Sequence, residues 1–291
     1  MPATIDQNDG IAVLLIRCPD RTGLVAAVSD FIAGNGGNLL DCNQHVDRDA
    51  GLFYMRVEWS LGGFQIPGPE IDGYFTNLIA RRYGMEFQLF FPGPKLRLGL
   101  MASSHHHCLL DILTRVQSGE WDVEIPLIIS NHEGTGAVAR RFDIPFHHIP
   151  VSKDGKRAAE QRQAGLLQDA GVDLVVLARY MQILTDDFVA GWQGRMINIH
   201  HSFLPAFPGG RPYHQASQRG VKIIGATSHY VTGDLDEGPI IEQDVVRVSH
   251  RDSVRDMIRK GRDLEKVVLA RAIWLHMNHR VLISGNRTIT F

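Results

Sequence analysis

Asn198, His200 and Asp236 are the residues of this sequence on which chemistry can be built. The stretch Met196-Ile-Asn-Ile199 reads as the end of a short buried strand. Asn198 and His200 stand two apart, so their side chains leave the same face. An amide N–H can be aimed at an oxygen that is gaining negative charge. An imidazole can donate to that oxygen or relay a proton. The best carboxylate to complete the set is Asp236, in the glycine-bounded loop Gly233–Gly238 just before the apolar run Pro239-Ile-Ile241. Together these are the parts of an acyl-transfer site without a side-chain nucleophile. After the strand, Pro205, Pro208, Gly209, Gly210 and Pro212 predict turns rather than helix.

The elements that must hold these residues form an alternating strand–helix series. Residues 96–102, 123–130, 146–151, 172–178 and 196–199 are apolar strand candidates, with helical spacing between them at Leu109–Leu113, 137–142 and 158–171. Thr185 is placed to cap a helix running to Trp192. Val172–Ala178 is nearly all apolar, the signature of a central parallel strand covered on both faces. A doubly wound, mostly parallel sheet is predicted, with its ligand crevice at the carboxyl ends of the strands. Asp252–His279 reads as a helix and Val281–Phe291 as a hairpin. His276 and His279 are expected on its surface.

The first ninety residues read as a separate βαββαβ unit of ferredoxin-like type. Strands are predicted at 11–17, 38–46, 52–59 and 86–91. One helix is carried by Leu24, Val25, Val28, Phe31 and Ile32, and a second by Tyr74, Leu78, Ile79 and Arg82. Pro92-Gly-Pro94 interrupts regular structure, which gives a first domain over 1–91, a linker over 92–95 and a second domain over 96–291.

Composition narrows the function classes. With 30 basic and 32 acidic residues in 291, there is no electrostatic case for nucleic acid or an anionic membrane. No apolar run approaches bilayer length, and the first ten residues lack a secretory pattern. Cys18, Cys42 and Cys108 are too scattered for a disulfide framework or a paired-cysteine metal site, so three reduced thiols in a cytoplasmic protein are expected. The run His105-His-His107 suggests metal, but sequence neighbours cannot easily face one ion, and no metal site is expected. Asn131–Gly136 mimics half of a dinucleotide fingerprint; its third glycine is replaced by Ala139, and a plain strand-to-helix turn is expected.

The ordered strings LARYMQIL (177–184), INIHHSFLPAF (197–207), RPYHQA (211–216), GATSHYV (225–231), LDEGPIIEQDV (235–245) and GNRTI (285–289) resemble the folate-dependent formyltransferase family, in its branch that gives the formyl group to water. The resemblance implies 10-formyltetrahydrofolate as substrate, no cofactor and no metal. It implies that Asn198 donates to the formyl oxygen, that His200 stabilises the oxyanion, and that Asp236 polarises His200, orients a water and helps move its proton to N10. It places Met181, Gln182, Leu184, His229, Val231, Thr232, Gly233 and Asp234 around the pterin. Gln182 stands where some members carry arginine. The loop Ser104–Cys108 offers imidazoles where members with a phosphorylated acceptor have a Gly-Ser-Asn cradle, which argues against such an acceptor.

The stretch from Pro19 to Leu39 resembles an ACT domain. That implies an amino-acid effector, a homo-oligomer (dimer or tetramer), and a pocket where Asp20 and Gly23 face Asn38 and Leu39. Two alternatives stay open: a transferase with an amine acceptor, and a non-catalytic sensor on the same scaffold.

Overall fold

The computed structural model describes residues 10–205 and 212–291. The turns expected at Pro208, Gly209 and Gly210 lie outside them. The chain divides into two compact units. One takes the chain through Pro94 together with His279–Leu282 and Ile289–Phe291; the other takes Lys95–Asn278 and Ile283–Thr288.

The first unit contains β1 (Ile11–Pro19), α1 (Leu24–Gly34), β2 (Asn38–Asp47), β3 (Leu52–Ser60), α2 (Gly68–Phe75) and β4 (Glu86–Phe90). A π-turn at Thr76–Ala80 carries α2 into the single turn α3 (Arg81–Tyr83). The sheet order β2-β3-β1-β4 is the ferredoxin-like arrangement that the sequence predicts. Alternation along β1 sorts its side chains between two faces. Ala12, Leu14, Ile16 and Cys18 pack with Leu24, Val28, Phe31 and Ile32 of α1 and with Ile71 and Phe75 of α2.

Three expectations for this unit are corrected. The second helix buries Ile71 and Phe75, four apart, while Tyr74 and Leu78 are exposed, and the π-turn then sets Ala80, five residues after Phe75, on the buried face. The first ninety residues do not make the unit alone. Leu15 and Tyr54, on the other face of the sheet, are covered by Leu282, Ile289 and Phe291. His279, expected at the surface of a helix, lies beyond it, stacks on Phe90 at 3.7 Å, and accepts from Arg56 Nε through its carbonyl. The third correction concerns the effector residues. Pro19 pairs with Leu52 at one end of β3, whereas Asn38 pairs with Ser60 at the other. Asp20 and Gly23 therefore stand about 25 Å of strand from Asn38 and Leu39 within one chain, and do not face them.

The second unit contains β5 (Leu96–Ala102), α4 (His107–Gln117), β6 (Val123–Ser130), α5 (Gly136–Arg141), β7 (Phe146–His148), α6 (Lys156–Asp169), β8 (Leu174–Leu177), α7 (Asp186–Ala190), β9 (Met196–His200), α8 (Pro212–Arg219), β10 (Ile223–Tyr230), β11 (Ile240–Arg247) and α9 (Val254–Met277). The hairpin β12 (Val281–Ser284) and β13 (Arg287–Thr290) closes the chain. The large sheet runs β11-β10-β9-β8-β5-β6-β7. β5 to β9 are parallel, and β10 joins antiparallel to both β9 and β11. The chain winds outward from β5 through β7 and then returns to β8 on the other side of β5. The carboxyl ends of β5 and β8 therefore flank a topological switch point, where an open sheet leaves a crevice.

Two local expectations change. Pro212 opens α8 instead of holding a turn, since its fixed φ and missing N–H suit a first helical position. The Thr185 side chain does not cap α7; its hydroxyl bonds to Glu160. The Asn131–Gly136 segment is the plain turn expected, a single 3-10 turn leading into α5. Among the described residues no helix is long and apolar enough to cross a membrane.

Candidate active site

Antiparallel pairing of β9 with β10 does the first work of assembly. It sets Asn198 opposite His229 and His200 opposite Thr227. The Asn198 amide nitrogen lies 3.2 Å from His229 Nε2. On its other side His229 Nδ1 is 2.9 Å from the carbonyl of Tyr230. A carbonyl can only accept, so Nδ1 carries the proton and Nε2 presents a lone pair. Burial favours this neutral form, lowering the His229 pKa. The amide of Asn198 is thereby fixed with its nitrogen toward His229, and its second N–H is left for another acceptor.

Asp236 arrives from the loop between β10 and β11. Its Oδ2 lies 3.2 Å from His200 Nδ1 and its Oδ1 3.8 Å from His229 Nε2. The hydrogen bond from His200 holds the Asp236 carboxyl below the usual carboxylate range, against a burial that pushes the other way. An ionised carboxylate only accepts, so the shared proton belongs to His200 Nδ1. His200 Nε2 is buried and has no partner within the protein. The loop comes this close because residue 238 is glycine: a Cβ there would stand 1.8 Å from the Tyr230 carbonyl oxygen. Asp236 itself sits at φ 58, as Arg179 sits at φ 64. Left-handed backbone of this kind costs a non-glycine residue about 1–2 kcal/mol.

These groups open onto one cavity of about 300 Å³. Asn198, His200 and Asp236 line it, and so do Met181, Gln182, Leu184, His229, Val231, Thr232, Gly233 and Asp234. The strip after β8 supplies one wall and the loop before β11 the other. Met181 and Leu235 stand half-exposed at 52% and 60%, giving the cavity an apolar lip. Every side chain that the sequence points to for catalysis or pterin binding is thus brought to one place.

Sequence reasoning passed over Arg179, although it lies within the string 177–184. It is 7% exposed and lines the same cavity. Its partner Glu265, on α9, is invisible as a site residue in the sequence because only the tertiary fold carries it to Arg179. The histidine run also resolves. His106 bonds to Thr135 and His107 to Glu265, so the adjacent imidazoles serve different partners. His107, Cys108 and Glu265 hold possible ligand atoms within 4.8 Å of one another. They fit a metal poorly: Glu265 already accepts from His107 and Tyr213 and faces Arg179, and burial pushes the Cys108 thiol well up, keeping it protonated. His276, expected at the surface, lies 2.7 Å from the buried Tyr230 hydroxyl.

With the geometry in place, kinship can be weighed. The formyl transferase family model matches residues 96–273. The chain is 55% identical to the formyltetrahydrofolate deformylase of Synechocystis sp., covering 96% of this chain and 98% of that one. The chain belongs to the formyltetrahydrofolate deformylase family. The Bacillus subtilis deformylase is 44% identical over 98% of this chain and 95% of its own. The crystal structure of the deformylase from Pseudomonas syringae pv. tomato superposes with a TM-score of 0.93 at 46% identity, covering 98% and 96% of the two chains. Glycinamide ribonucleotide transformylase 1 from Symbiobacterium toebii superposes at 0.65 and 34% identity, over 70% of this chain and 98% of its own. The match to deformylases thus takes in both units, and that to the transformylase covers less of the chain.

Two half-buried histidines make stability pH-dependent. Burial, with Arg179 beside it, lowers His201 from 6.5 to about 4; burial, with Arg56 beside it, lowers His279 from 6.5 to about 4. Below pH 6.5 the unfolded chain takes up protons that the folded chain refuses until about 4. Unfolding free energy is therefore expected to fall across that window, by up to about 1.4 kcal/mol per pH unit for each histidine. Asp236 acts lower: its stabilisation is present above its unfolded value of 3.8 and is lost as the pH falls through its depressed folded one. Urea midpoints at pH 7.5, 6.0 and 4.8 check the histidine window, and a flat series would refute it.

Proposed function

We propose that the chain hydrolyses 10-formyltetrahydrofolate to formate and tetrahydrofolate, with Asn198, His200 and Asp236 performing the chemistry. The observation that carries this reading is the pairing of His200 Nδ1 with the Asp236 carboxylate at 3.2 Å, on the cavity that also receives the Asn198 amide. The substrate's pterin lies between Met181, Gln182 and Leu184 on one side and His229, Val231, Thr232, Gly233 and Asp234 on the other. The second N–H of Asn198 donates to the formyl oxygen. Asp236 Oδ1, which His200 does not use, accepts from the attacking water.

As water adds, the carbonyl pair moves onto oxygen, and that negative charge is met by the Asn198 N–H and by His200 at Nε2. The water proton passes through the His200–Asp236 pair to N10, and the C–N bond breaks as that nitrogen takes it. Formic acid then gives up its own proton, leaving formate. No side chain forms a covalent intermediate and no metal enters any step.

The first unit acts as an ACT-type module. Its strand order and its two edge strands, β2 and β4, support assembly into a dimer or tetramer. The separation of Asp20 and Gly23 from Asn38 and Leu39 means that an amino-acid effector pocket using both pairs needs residues from two copies. The balanced composition and scattered free thiols support a cytoplasmic location, and the formate serves purine synthesis.

The deciding test mixes the protein with 10-formyltetrahydrofolate alone. Formate release without any amine is expected. Turnover only after adding an amine acceptor would assign a transferase instead. No turnover in either case, with amino-acid binding retained, would assign a sensor.

A further inference from the structure

Among the described residues that line the cavity, Arg179 is the one Lys or Arg, and Asp234 and Asp236 line the same cavity. Attack by water moves negative charge from the His200–Asp236 pair, which takes the proton, onto the tetrahedral oxyanion, and the product formate is itself an anion. Asn198 and neutral His229 bring no charge to balance it. His200 brings one only while protonated, and that charge is already turned toward Asp236. The cavity therefore needs a fixed cation, and its walls offer one.

Arg179 is held as a residue with a task would be. It lies two residues beyond β8, in the strip at the switch point of the sheet, in left-handed backbone at φ 64. Its carbonyl accepts from the Ser103 N–H at 3.2 Å, which ties the strip to the end of β5. Its Nε lies 3.3 Å from Glu265 Oε2. Glu265 is 1% exposed and also receives His107 Nε2 at 2.7 Å and the Tyr213 hydroxyl at 2.8 Å. Tyr213 reaches it across residue 261 of α9, where a Cβ would come within 2.0 Å of the hydroxyl, so that position must be glycine. Three elements thus converge to fix one carboxylate against one guanidinium. Glu265 does not satisfy that guanidinium: Nε and Nη1 are buried and make no hydrogen bond within the protein. A buried cation with unused donors is costly unless a counter-charge arrives. Its field also bears on the neighbouring imidazoles, acting with burial to keep His201 and His105 neutral.

We propose that Arg179 is the charge-compensating residue of the hydrolysis, its buried guanidinium favouring the oxyanion and then the product formate, and that Glu265 is the positioning residue that holds it. Arg179 acts through space from a buried position, where a fixed charge is stronger than in solvent. The idea rests on the hydrolytic reading, but its test separates the two.

The test compares the full-length parent with Arg179→Met and Arg179→Lys. Three quantities are read: kcat for formate release, inhibition of that release by added formate, and binding of tetrahydrofolate, which lacks the formyl group. Arg179→Met is expected to lower kcat about a hundredfold and to weaken formate inhibition at least tenfold, with tetrahydrofolate affinity changed by less than about threefold. Arg179→Lys keeps the charge and is expected to recover at least a tenth of the parent kcat. A merely structural role would move formate and tetrahydrofolate together. If removing one charge leaves Glu265 uncompensated and the protein misfolds, Arg179→Met with Glu265→Gln removes both, and the same comparisons apply. The proposal is overturned if the methionine variant stays within threefold of the parent, if lysine does no better than methionine, or if formate inhibition is unchanged. A parent that releases no formate refutes the hydrolytic reading instead, and direct titration of formate into parent and variant still decides the role of Arg179.

Discussion

Replacing Asp236 by asparagine is expected to slow formate release by about three orders of magnitude while leaving KM within a few-fold. The substitution is nearly isosteric, so the loop and the cavity wall stay in place. What goes is the charge. In the parent, Asp236 Oδ2 takes the proton of His200 Nδ1 at 3.2 Å, which stabilises the imidazole whenever it is protonated at Nε2. An amide oxygen can still accept that hydrogen bond but cannot stabilise an imidazolium to the same degree. The other carboxylate oxygen becomes an NH₂ group, which donates and so cannot receive a proton from water. Both halves of the proton path weaken, and general acid–base contributions of this kind run to about 10²–10⁴. Steady-state kinetics with tetrahydrofolate binding as a control would check this. An asparagine or alanine variant that deformylates as fast as the parent would sink the mechanism.

Gly238→Ala is expected to be nearly as damaging for a different reason. The added methyl would meet the Tyr230 carbonyl oxygen at 1.8 Å. Both groups belong to backbone, so no rotamer change relieves the clash. The two segments are joined there by the Tyr230 N–H donating to the Pro239 carbonyl at 2.9 Å. Parting them carries the Tyr230 carbonyl away from His229 Nδ1, frees the His229 tautomer, and moves the loop that bears Asp236. A loss of activity of at least a hundredfold is expected, since misplacement of about 1 Å already costs that much. A stability loss of about 2–4 kcal/mol should accompany it, as steric strain in a packed region typically brings. Formate release and thermal unfolding would be measured on the same preparation. A variant with parental activity and parental unfolding temperature would show that the loop does not need this close approach.

Much of the site could be read before any fold was known. Asn198 and His200 are two apart on a strand, and period-two alternation alone puts them on one face. The strip 177–184 follows an apolar strand, so the rule that open sheets bind at their carboxyl ends already sends it to the crevice beside Asn198 and His200; the loop 231–236 leaves the antiparallel β10, and only the register of β10 against β9 brings it there. The misreadings fall where local pattern lacks the deciding information. The face of the second helix went wrong because spacing fixes a period but not which side meets the sheet: Ile71 and Phe75 turn inward and Tyr74 outward. The facing of Asp20 and Asn38 was implied by the ACT resemblance, but strand register puts them at opposite ends of the sheet within one chain. His276 and His279 looked exposed because polarity is a poor guide where a ring finds Tyr230 or Phe90 to rest on.

What the sequence determined by itself is the periodic and the contiguous: most strands and helices, and the fold class of each half. What only the tertiary structure decided is everything set by contact between distant segments. The tautomer of His229 follows from a carbonyl one residue away and an amide thirty-one residues back. Arg179 became a residue of the cavity only when α9 brought Glu265 beneath it. The physical reason is the same in each case. Propensity and burial pattern act over a few residues, whereas protonation state and charge balance depend on which groups share a low-dielectric space, and the chain does not fix that until it has folded.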